Sequence, residues 1–243
     1  MARAGKANRD LIKALKVELK KAADPAKSEP MRAYMKSSMP YHGVNMPLRR
    51  KVGKALFKGY PLETAPEWRA TILELWDTAK FREERYAAID LAEVKSYDAF
   101  RTQASLPMYK HMIKTGAWWD YVDPITSHGL GFLLRNNPKS MPKTMRTWAR
   151  AKDMWVRRSS ILCQLSLKEE TDLKLMHDCM EPSFGTDEFF LQKAMGWALR
   201  QYAWKNPEAV IAYVKKHRSE LSKLTKREAL KNVIKDGSIK EIP

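Results

Sequence analysis

The chain has 243 residues, 45 lysines and arginines against 28 aspartates and glutamates, and a formal charge of +17. With 44% hydrophobic residues and eight tryptophans it carries too much apolar material for a disordered basic tail, and enough chain for a buried core. No apolar run reaches the roughly 18 residues of a membrane span. The basic stretch over residues 1–21 lacks the apolar centre of a signal peptide, and two cysteines, Cys163 and Cys179, fit a reducing cytoplasm rather than a disulfide scaffold. The positive excess favours a polyanion, most often nucleic acid or an anionic membrane surface.

In chain order, Leu11, Leu15 and Leu19 recur every four residues and predict an amphipathic helix. The cations of this stretch, Arg3, Lys6, Arg9, Lys13 and Lys16, track a polyanion or serve solubility. Breaks follow at Asp24-Pro25, Met39-Pro40 and Gly59-Tyr60-Pro61. Thr64 with Glu67 forms a capping box ahead of the stripe Ile72, Leu75, Trp76 and Ala79. Asn137-Pro138 and Asn206-Pro207 each pair a cap residue with a proline suited to a first helical position. A further break lies between Glu181 and Gly185, and Thr225 with Glu228 reads as a last capping box. Valine occurs nine times and no stretch alternates with the period of a strand. The expectation is all-α: about a dozen helices of about 10–18 residues joined by short loops. No linker stands out, so residues 1–243 read as one domain.

A repeat is visible. Asp153-Met-Trp-Val-Arg-Arg158 and Glu188-Phe-Phe-Leu-Gln-Lys193 both place an aromatic three residues before a cation, as does Phe81-Arg-Glu-Glu-Arg85, and Leu224-Thr-Lys-Arg227 is a shorter echo. Arg158, Lys193 and Arg227 are 35 and 34 residues apart, and Asp123 lies 35 before Arg158. Two helices per unit at this period predict a right-handed superhelical solenoid of HEAT-like repeats. In such a stack Arg85, Asp123, Arg158, Lys193 and Arg227 form a ladder. Its cations either follow a phosphate backbone on a concave face or make a solvated surface of salt bridges.

Little points to metal or cofactor chemistry. His42, His111, His128, His177 and His217 are scattered, and Cys163, His177 and Cys179 lack the spacing of a zinc site. No GxGxxG, P-loop or GxSxG string occurs. The unusual segment is Gly116-Ala-Trp-Trp-Asp-Tyr-Val-Asp-Pro124. On a helix Trp119 and Asp123 share a face, while Trp118 turns inward with Val122. Asp123 is either a carboxylate set beside a bound polyanion or an N-cap spent on its own backbone ahead of Pro124. Trp155 reads as core; Trp197, beside Gly196, reads as core or as a stacking platform.

These strings carry a resemblance. Glu29-Pro-Met-Arg-Ala-Tyr-Met-Lys36, Arg49-Arg50, Glu74-Leu-Trp-Asp77, Trp118-Trp-Asp-Tyr-Val-Asp123, Trp155-Val-Arg-Arg158, Phe190-Leu-Gln-Lys-Ala-Met-Gly-Trp-Ala-Leu-Arg200 and Lys226-Arg-Glu-Ala229 resemble, in order and spacing, the AlkD-type DNA alkylation-repair glycosylases. The likeness runs from about Lys27 to about Asn232. It implies a concave DNA-binding face and hydrolysis of the N-glycosidic bond of cationic N3- and N7-alkylated purines in duplex DNA, without base flipping and without metal or cofactor. It places the catalytic aspartate at Asp123, the lesion-side tryptophans at Trp119 and Trp197, and an active-site arginine at Arg158, read as holding a backbone phosphate. Tyr34 matches an aromatic near the DNA, Asn45 stands where relatives carry a glutamine, and Pro124 departs from the pattern. Arg85, Lys193, Arg200 and Arg227 complete the expected DNA contacts. A monomer acting on nucleoid DNA in a bacterial cytoplasm follows. The rival readings are a self-resistance glycosylase for bulky natural-product adducts and a non-catalytic DNA-binding scaffold.

Overall fold

The structure is a computed structural model that describes residues 5–242. Arg3 lies outside the described residues. Among the described residues, fourteen α-helices, short 3-10 helices and one π-helical run account for the architecture, and no strand occurs. The all-α expectation therefore holds. The helices divide between two compact units, residues 1–108 and 109–243.

The first unit holds α1 (Arg9–Lys21), α2 (Pro25–Tyr34), α3 (Met46–Gly59), α4 (Ala65–Asp77) and α5 (Arg82–Ala92). Leu11, Leu15 and Leu19 are wholly buried, as are Ile72, Leu75 and Trp76. Burial of each such side chain contributes about 1.5–3 kcal/mol. Thr64 caps α4 by accepting from the Glu67 amide, and Glu67 reaches back to the amide of Glu63. Asp24 caps α2 with Pro25 in its first turn. A buried carboxylate, Glu83, accepts from the successive amides of His42, Gly43 and Val44 and so fixes the loop that feeds α3. Gly43 is needed there: its φ is +84° and a Cβ would lie 2.0 Å from the Asp24 carbonyl oxygen.

The boundary falls within α6 (Leu106–Gly116), and the second unit holds α7 (Trp119–Pro124), α8 (Gly131–Asn136), α9 (Met141–Trp148), α10 (Met154–Leu162), α11 (Leu173–Met180), α12 (Phe189–Ala203), α13 (Pro207–Lys216) and α14 (Lys223–Lys235). Three successive helix pairs run from α9 to α14. Their second helices start at Met154, Phe189 and Lys223, the 35- and 34-residue steps read from the sequence. α10 packs on α12 and α12 on α14, while α9 packs on α11. Arg158, Lys193 and Arg227 are each the fifth residue of their helix, so the repeat anchors are structurally equivalent.

Two expected caps are displaced. Asn137 closes α8, and α9 opens four residues later at Met141 with Pro142 in its first turn. Ser222, not Thr225, caps α14. Thr225 is already inside that helix, and its hydroxyl donates to the carbonyl of Gln192 on α12. Glu228 is thereby freed from a capping role. Asn206 does cap α13, accepting from the Ala209 amide.

Candidate active site

The turn that delivers α7 is strained. Ala117 has φ +43°, a conformation that costs a non-glycine residue about 1–3 kcal/mol. After it Trp118 is extended and Trp119 begins the helix. Trp118 packs against Trp155 and Phe190, with ring centroids 6.2 and 5.5 Å away, and Trp155 lies 4.9 Å from Phe190. The two indoles thus part at the helix start: Trp118 joins an aromatic cluster, while Trp119, half-buried, sits one turn before Asp123 on the same face.

Asp123 is not a cap. It lies within α7, and its carboxylate is held by Arg158 in a two-pronged contact: Nε donates to Oδ1 and Nη2 to Oδ2, both at 2.8 Å. Nη1 of the same guanidinium donates to the carbonyl of Phe190 at 2.5 Å. The pair is nearly sealed, with Asp123 9% and Arg158 4% exposed. The matched fork of arginine and carboxylate fixes both position and plane of the acid. Arg158, expected to hold a backbone phosphate, spends its donors inside the protein on Asp123 and Phe190. Its geometry is that of a residue orienting the acid.

Burial raises the Asp123 carboxyl above the ordinary aspartate value, and the Arg158 guanidinium limits the rise. Pro124, inside the helix, has no amide to donate, and the next turn widens into a π-helical run over Ile125–Leu130. Ser127 within that run donates its hydroxyl to the Asp123 carbonyl at 2.8 Å. Thr126 donates to Ser159 at 3.0 Å, tying the run to α10. Pro124 therefore leaves Asp123 within reach of Arg158.

On α12 the sequence Lys193-Ala-Met-Gly-Trp197-Ala-Leu-Arg200 faces α14. Glu228 accepts from Lys193 at 2.8 Å and also from Arg200. Gly196 permits this: a Cβ there would stand 2.5 Å from Glu228 Cβ and 2.9 Å from the Thr225 carbonyl oxygen. Trp197, the next residue, is half-buried and packs on the core of α10 to α14. Gly196→Ala is expected to lower stability by about 1–3 kcal/mol, because overpacking outweighs the gain in helix propensity of about 1 kcal/mol. An unchanged or higher thermal midpoint would refute the close-packing account.

Arg227 is exposed on α14. In the first unit, Tyr34 is 76% exposed at the end of α2. Asn45 caps α3 by accepting from the Leu48 amide, and Arg85 lies over the Trp76 ring, 4.7 Å from its centroid. Two rungs of the ladder, Arg158 and Lys193, are ion-paired within the protein. Phe190 and Glu228 are functional candidates that residue type alone did not single out.

The geometry now meets its relatives. The model of the family described as DNA alkylation repair enzyme matches residues 15–233, nearly the whole chain. The chain belongs to that family. A solved structure of a predicted DNA alkylation repair enzyme from Enterococcus faecalis is 31% identical, with a TM-score of 0.71, and the match covers 88% of this chain and 97% of that one. No curated protein matches the chain. A member of the DNA alkylation repair family has its role in DNA repair, and a charge of +17 suits its polyanionic partner. No helix among the described residues is long and apolar enough to cross a membrane, and no cluster of histidine, cysteine and carboxylates that could hold a metal occurs among them.

Proposed function

We propose that this DNA alkylation repair enzyme is a monofunctional glycosylase that removes cationic N3- and N7-alkylated purines from duplex DNA. The observation that carries the reading is the buried Asp123 carboxylate held in a fixed plane by Arg158. An alkylated purine already bears positive charge, so it leaves with the C1′–N electron pair as a neutral base and needs no acid to protonate it. The sugar left behind has oxocarbenium character, as in other glycoside hydrolysis. Asp123 stabilises that cation through space and accepts the proton of the water that adds to C1′, a task helped by its raised affinity for a proton. Products are the free base and an abasic site.

Trp119 and Trp197 add the attraction of an indole face for the cationic sugar and base. Arg158 positions Asp123 rather than touching DNA. Backbone and sugar contacts suffice for this chemistry, so the lesion does not have to enter a pocket. The reading predicts selectivity by charge. Duplexes carrying N7-methylguanine or N3-methyladenine lose their base, whereas a duplex carrying an uncharged lesion of similar size, such as ethenoadenine, keeps it. Comparable release of the uncharged base, followed by chromatography of free bases, would contradict the leaving-group argument.

A further inference from the structure

Glu228 is the only carboxylate that reaches two of the α12 cations expected at DNA, among the ion pairs of the described residues. Lys193 and Arg200 lie seven residues apart, two turns of one face, with Gly196 and Trp197 between them. The absent side chain of Gly196 lets Glu228 lie against α12 midway between the two cations. Its carboxylate then divides, Oε1 to Lys193 and Oε2 to Arg200. Burial pushes the Glu228 carboxyl upward, but the two cations outweigh it and hold the acid below the usual glutamate value. It is therefore ionised throughout the neutral range. The Lys193 side chain stays 37% exposed and that of Arg200 23%, against 13% for Glu228, so a phosphate can reach the cations while the carboxylate sits beneath them.

From this arrangement we infer that Glu228 is a specificity-determining counterion: it occupies Lys193 and Arg200 in the free protein, so that backbone phosphate gains them only by displacing a carboxylate. The inference rests on the duplex-binding part of the proposed function and deepens it. Contacts to phosphate are independent of sequence and supply most non-specific affinity. A carboxylate that competes for two of them lowers affinity for undamaged duplex. It leaves the cations in place for a complex whose closer fit at the lesion tips the exchange. Nothing in this role requires Glu228 to touch DNA, so it is a positioning and competing residue, not a catalytic one.

The test is the salt dependence of binding to an undamaged duplex of about 20 base pairs, measured by fluorescence anisotropy from low to physiological salt for wild type, Glu228→Gln and Lys193→Gln/Glu228→Gln. Glutamine keeps the volume against Gly196 and removes only the charge. Glu228→Gln is expected to bind several-fold more tightly at low salt, with the slope of log K against log salt steeper by about 1–2. The double variant should return most of that gain. Glu228→Asp, which keeps the charge but is too short to span both cations, should steepen the slope less than glutamine and serves as the comparison if glutamine lowers the thermal midpoint. Unchanged or weaker binding by Glu228→Gln and Glu228→Asp, with wild type binding normally, overturns the counterion role alone. Failure of wild type to bind any duplex overturns the proposed function as well.

Discussion

Replacing Asp123 with asparagine is expected to slow base release by at least about 100- to 1,000-fold, the usual cost of removing one preorganised charge from a transition state. Duplex binding should survive. The substitution is nearly isosteric, so the α7 backbone and Trp119 stay in place. The new side chain can still accept one hydrogen bond from Arg158, but its amide then meets an arginine donor where Oδ2 accepted one. A buried guanidinium is left without its counterion. Breaking such a pair from one side costs about 3–5 kcal/mol, so the variant should also unfold at lower temperature. Activity is therefore compared at a temperature where circular dichroism shows the folded state. Retained release by the folded Asp123→Asn variant would remove Asp123 from the centre of the reaction.

Arg158→Met gives the second large effect, through a different quantity. Methionine fills the space of the arginine stem and removes the charge that limits the rise of the Asp123 carboxyl. The sign follows from the causes: burial raises Asp123, Arg158 lowers it, so loss of Arg158 raises it further. Base release needs the ionised acid, and its acid limb should therefore move to higher pH in Arg158→Met, with a lower plateau because the carboxylate loses its fixed plane. Stability carries the same signature. A carboxyl that binds its proton more tightly folded than unfolded makes the protein less stable as pH rises from the unfolded value to the folded one. Raising the folded value widens that window upward. A pH–rate profile and thermal midpoints between about pH 4 and 8 check both. A variant with a reduced rate but an unshifted acid limb would make Arg158 a DNA contact instead of an orienting group.

Much of the fold could be read from the chain because periodicity and caps act locally. Leu11, Leu15 and Leu19, or Asn206 ahead of Pro207, declare a helix through neighbours three or four residues away. Asn137-Pro138 and Thr225 each have the local form of a helix start, but the N-cap positions are Ser140 and Ser222, and the Thr225 hydroxyl is spent on the Gln192 carbonyl of a neighbouring helix. The site shows the same division. Residue types and spacing marked Asp123, Trp119, Arg158 and Trp197. The partners of Arg158 were not legible, because whether a guanidinium faces phosphate or a carboxylate depends on burial. One further signal lies in the spacing. Asp123 and Arg158 are 35 residues apart, and so are Lys193 and Glu228. At the repeat length, opposite charges face each other across packed helices, α7 against α10 and α12 against α14, and this spacing marks Glu228 as a partner rather than a capping acid.

Whether a clamped, buried aspartate makes this protein a glycosylase is tested most directly by single-turnover release of N7-methylguanine from a duplex oligonucleotide, with wild type and Asp123→Asn each at saturating protein. The expected result is free N7-methylguanine and an alkali-labile abasic site from wild type, and binding of the same duplex with almost no release from the variant. Binding without release by wild type, or equal release by both proteins, would contradict that role for Asp123.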